Sequence, residues 1–126
     1  MKKYFVRDLN TIERVPSLDI AMKTANYWME FQRALVKDAD DDTLTQWMRS
    51  PDMGLESGDV QIFEVEIQEK NWEYLVEEYS GLDFCNRTFC EHAINNEKPI
   101  KVLSGKQQVI EEFERRGLTM EGNYNG

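Results

Sequence analysis

The chain has 126 residues, 40% of them apolar and 11% aromatic, with a formal charge of −9. That composition excludes a disordered polymer and suffices to bury a core without covalent staples. The length predicts one domain over residues 1–120, with residues 121–126 as a frayed tail.

Residues 4–7 and 11–15 carry aromatic and branched side chains on either side of Asp8-Leu9-Asn10, which predicts an N-terminal β-hairpin. Ser17 then caps a helix running to about residue 36, with Leu18, Met22, Ala25 and Met29 on one face. After the KDADDD run, Asp42 is the expected cap of a short helix over residues 43–49, with Leu44, Trp47 and Met48 inward and Pro51 as its stop. Residues 51–59, PDMGLESGD, read as a loop. VQIFEVEI, residues 60–67, is the clearest strand, with Phe63, Val65 and Ile67 on one face and Glu64 and Glu66 on a solvated one. Trp72, Leu75, Val76 and Tyr79 make a helical stripe that Gly81 ends. Residues 100–103 form a short strand, and Ser104 with Gln107 opens a last helix that Gly117 closes. The order predicts an α+β fold, a small mostly antiparallel sheet with helices packed on one face, and a split βαβ arrangement is one candidate topology.

The charge is segregated. Residues 1–37 carry +3, residues 38–78 carry −11 and residues 79–126 carry −1. Such a field repels nucleic acid and anionic membranes and attracts basic surfaces.

Both cysteines and the single histidine fall in DFCNRTFCEHAI, residues 83–94. Two cysteines do not make a disulfide framework, so both are expected reduced. A structural zinc site wants four ligands, and Cys85, Cys90 and His92 supply three with no second close pair. On a helix, Cys85 and Cys90 diverge by about 140°, and Cys85 and His92 lie about 10.5 Å apart, too far for a nucleophile and its base. A core-facing helix with His92 at its margin fits better, and no metal or cofactor is expected. A small metal- or thiol-dependent protein using these three residues is the alternative reading.

Other motifs fall short. VLSGKQQ has Ile100 where a phosphate-binding loop needs its first glycine and Gln107 where it needs Ser or Thr. Its helix start, with Ser104, Gly105 and Lys106, is suited to at most one anion. Asp38, Asp40 and Asp42 match the first ligand positions of a calcium-binding EF-hand loop, but Thr43 replaces the glycine and Arg49 the terminal glutamate.

The acidic middle is thus the feature that points to function. Carboxylates in rows along an element imitate phosphates, and a protein so shaped occupies the basic groove of a nucleic-acid-binding protein. The expectation is a non-enzymatic, cytoplasmic binding protein. It would engage a basic partner, such as a nuclease, as an inhibitor through Asp38, Asp40, Asp41, Asp42, Asp52, Glu56 and Asp59, with Trp47, Met48 or Met53 as apolar anchors. It is expected to bind neither nucleic acid nor membrane itself. The opening MKKYFVRDLN has too short an apolar stretch for a signal peptide, and no run reaches the about 18 apolar residues of a membrane span. Small size, acidity and lack of a catalytic motif also mark phage and mobile-element inhibitors of restriction and CRISPR nucleases, an analogy of style rather than of family. A homo-oligomer built on exposed aromatics is the remaining alternative.

Overall fold

The computed structural model describes residues 1–9, 11–50, 58–79 and 87–120. In chain order its elements are β1 (Lys2–Arg7), β2 (Ile12–Val15), α1 (Leu18–Asp38), α2 (Asp41–Arg49), β3 (Val60–Glu66), α3 (Glu69–Glu78), α4 (Arg87–Ile94), β4 (Lys101–Leu103) and α5 (Gly105–Arg115). The fold is α+β, and its four strands form one antiparallel open sheet in the order β2-β1-β3-β4.

Local chemistry explains most boundaries. Asp8 closes the first hairpin from both sides: its N–H donates to the Thr11 carbonyl at 2.9 Å and its Oδ1 accepts the Thr11 N–H at 2.7 Å. Ser17 caps α1 by accepting the Ile20 N–H at 3.2 Å. α5 ends in a left-handed Gly117, φ 71°. There the Gly117 N–H donates to Glu114 and the Leu118 N–H to Phe113, the paired bonds of a Schellman closure.

β1 is antiparallel to both of its neighbours, so β2 and β3 run parallel to each other on either side of it. The chain passes from β2 to β3 through α1 and α2, which is a split βαβ crossover with β1 in the gap. β3 then returns to β4 through α3 and α4.

The helices occupy both faces of the sheet, not one as the sequence suggested. Phe5, Ile12, Phe63 and Val65 pack against α3 and α4 through Trp72, Phe89, Cys90, Ala93 and Ile94. On the same strands, Val6, Val15, Val60 and Ile62 point the other way and pack against Ala21, Ala25 and Met29 of α1. The physical reason lies in β1 and β3, whose adjacent residues Phe5-Val6 and Ile62-Phe63 are all fully buried, so neither strand has a wet side at its centre. Only the Glu64–Glu66 end of β3 is open on the α1 side. There Lys2 pairs with Glu64 at 3.4 Å and the Met1 amino group with Glu66 at 3.0 Å.

A third cluster joins the helices away from the sheet. Val36 of α1, Leu44 of α2, and Val109 and Phe113 of α5 are buried together, with Trp47 and Met48 packed at their edge. Among the described residues no helix is long and apolar enough to cross a membrane.

Candidate partner-binding surface

The four aspartates of KDADDD fall at one corner, where α1 ends and α2 begins, and each stands in a different chemical situation. Asp40, not Asp42, is the cap of α2. Its backbone is extended and its Oδ1 accepts the Thr43 N–H at 2.7 Å. That bond and the nearby Arg116 cation hold the Asp40 carboxyl below its ordinary range. Asp41 and Asp42 form the first turn of α2, where the positive end of the helix dipole favours carboxylates. Asp42 lies further inside the helix than a cap can, because the backbone is already helical at Asp41.

Asp38 differs from the other three. It is the last residue of α1, where the helix dipole is negative and a cation would be favoured. It is exposed, and its carboxylate has no hydrogen bond or ion pair among the described residues. Asp42, also exposed, shares that lack of a partner.

One cation ties the corner together, and sequence reading missed it. Arg116, at the end of α5, donates to Asp41 Oδ1 at 3.0 Å and to the Lys37 carbonyl at 3.0 Å. Its Nε lies 3.6 Å from Glu112 Oε1. Its guanidinium thus satisfies a terminal carbonyl of α1 and neutralises one of the four aspartates. Glu112, only 5% exposed, accepts from Arg115 through both oxygens. Those hydrogen bonds, with the adjacent Arg116, hold its carboxyl below the ordinary glutamate range despite burial. The signal available in the sequence was the doublet Arg115-Arg116 at a helix end, which reads there only as a favourable dipole pair.

The other predicted residues divide. Asp59, the residue before β3, accepts the Gly105 N–H at 3.0 Å and so caps α5 from across the fold. Ser104 takes the Gln107 N–H at 3.3 Å. Two N–H groups of that helix start therefore have internal acceptors, which leaves less for the anion considered above. Asp52, Glu56 and Met53 lie outside the described residues. Trp47 and Met48 are partly buried against the third cluster, so most of their surface serves the fold.

Among the described residues, the acidic excess of residues 38–78 does not form one surface. α2 packs beside α5 and the end of α1, whereas α3, with Glu73, Glu77 and Glu78 exposed, lies across the sheet.

Cys90 and His92 do not meet. Cys90 is fully buried among Phe89, Ala93 and Ile94, as the core reading of α4 expects. His92 is exposed, its ring 5.3 Å from that of Tyr79. It lines an open groove of about 320 Å³ together with Glu66, Tyr74, Asn95 and Glu97. Among the described residues no three His, Cys, Asp or Glu side chains are grouped to hold a metal ion, and Cys85 lies outside them.

The chain matches no family model, no curated protein and no solved structure.

Proposed function

We propose that this protein is a cytoplasmic binding protein that engages a basic, nucleic-acid-handling partner through the acidic corner between α1 and α2, and inhibits it by occupying its nucleic-acid groove. The observation that carries this reading is Asp38. An exposed carboxylate at the negative end of a 21-residue helix is a local electrostatic fault in the fold. Lys37 supplies a cation in the same last turn but makes no ion pair with Asp38, and Arg116 is committed to Asp41, the Lys37 carbonyl and Glu112, so among the described residues the Asp38 carboxylate has no direct partner. Local rules broken without return inside the fold are where function is expected. Asp40 and Asp41 add field to the same corner while serving the fold, and Asp42 is held beside them with no partner for its carboxylate among the described residues.

The test is capture from native host lysate with the unchanged chain and with D38N/D42N, followed by competition with duplex DNA or RNA. These two positions remove charge without touching a cap or the Arg116 pair. The expected result is a basic nucleic-acid-binding protein, held by the unchanged chain, lost with the variant and displaced by nucleic acid. Identical capture by both chains would contradict the reading.

A further inference from the structure

The face of α1 turned away from the sheet is apolar where a surface helix should be polar. Tyr27 is 69% exposed and Phe31 64%, one turn apart. At 100° per residue, Ile20, Tyr27, Phe31, Ala34 and Asp38 fall within a sector of about 60°. The buried row of the same helix, Ala21, Ala25, Met29, Gln32 and Val36, is centred about 150° away. Ile20 and Ala34 are exposed as well. Single exposed apolar residues are ordinary, but four in line along about 21 Å of one helix match the anchor spacing of a helix-to-helix contact.

Charge decides what fits there. The line ends in the exposed Asp38 and runs on into Asp40, Asp41 and Asp42, so one end of the stripe is apolar and the other anionic. A second copy of the chain would bring −9 against −9. A helix with one apolar side and lysine or arginine toward one end matches both halves. An arginine of such a helix could also stack on Tyr27 or Phe31.

We propose that the outer face of α1 is the apolar half of the partner surface, and that its occupant is a cationic amphipathic helix of the partner protein. Its apolar side lies along Tyr27 and Phe31, and a basic residue at its end meets Asp38. The proposal rests on the binding reading above and specifies the partner's element.

The test uses the full chain and two synthetic 18-residue peptides of the same leucine and lysine composition, one patterned as an amphipathic helix and one scrambled. Affinity is measured by calorimetry for the unchanged chain, Y27S/F31S and D38N/D42N. Thermal unfolding checks that the variants fold, and sedimentation gives the oligomeric state. The proposal expects the patterned peptide to bind at least about tenfold tighter than the scrambled one, and Y27S/F31S to erase that difference. It expects D38N/D42N to weaken binding chiefly at low salt. If the two peptides bind alike and only D38N/D42N weakens them, the stripe is not the docking face, although the acidic corner still is. If neither peptide binds while the chain self-associates through Tyr27 and Phe31, the occupant is a second copy and the proposal fails. If Y27S/F31S changes neither peptide binding nor self-association, the proposal fails outright.

Discussion

Four aspartates that look alike in KDADDD have four different energetic roles, and single substitutions separate them. Asp38→Asn removes a carboxylate from the negative end of α1, so it should stabilise the fold slightly, by about 0.3–1 kcal/mol, while weakening partner binding. Denaturant unfolding and binding measured on the same variant check this; a change that destabilised the fold would show that Asp38 serves the fold after all. Asp40→Ala should act the opposite way, lowering the denaturant midpoint because α2 loses the acceptor of the Thr43 N–H, whereas Asp40→Asn keeps an oxygen there and should cost less. Arg116→Met leaves Asp41 and the end of α1 without their cation, and Glu112 with Arg115 alone. It should cost about 1–3 kcal/mol, read as a lower midpoint at unchanged m.

The same residues set the acid limit. Glu112 and Asp40 both have carboxyls held below their ordinary values in the fold. Their contribution to stability is therefore fully present above the unfolded values, about 4.3 and 3.9, and is lost as pH falls through the lower folded values. Stability measured from pH 7 down to pH 2 should fall most steeply below about pH 4, and Glu112→Gln should be less stable at neutral pH with a flatter acid limb. A variant whose limb matched that of the unchanged chain would remove Glu112 from this account.

At the scale of elements, what could be read in the sequence was what local chemistry dictates. The hairpin at Asp8, the Ser17 cap, the Ser104 cap and the Gly117 stop each depend on residues within five positions of one another. At Gly117 a Cβ would meet nothing within 4 Å, so Gly117→Ala should cost only the left-handed backbone, about 1–2 kcal/mol by denaturant unfolding. The cap of α2 was misplaced by two residues because three successive aspartates can each serve, and the choice is made by how α1 ends at Ala39. The covering of the sheet was misread for a different reason. Alternation along β3 was judged from Phe63, Val65 and Ile67, although Val60 and Ile62 mark the second face as apolar too. Tyr27 and Phe31 lie off the row of α1 that faces the sheet. Their spacing of four residues, off that row, was the available signal.

For the whole molecule, the sum of charges by segment was a poor guide to the field. Among the described residues, the carboxylates of residues 38–78 are spread over the corner of α2, the Glu64–Glu66 end of β3 and the outer side of α3. Arg116 arrives at that corner from 75 residues away, a contact that no local pattern announces. The apolar stripe of α1 leads into the acidic corner only because α1 runs unbroken from Leu18 to Asp38. Steering by such a field makes association fast and salt-sensitive, and a contact at one corner makes it sensitive to where charge is removed.

The central claim is therefore tested by position at constant charge. Affinity for the captured basic partner is measured as a function of salt for the unchanged chain, for D38N/D42N at the corner and for E73Q/E77Q on α3, each variant losing two negative charges. The account predicts that D38N/D42N weakens binding and flattens its salt dependence, while E73Q/E77Q leaves both close to those of the unchanged chain. Equal effects of the two variants would mean that the partner responds to overall charge, and the corner between α1 and α2 would not be its binding site.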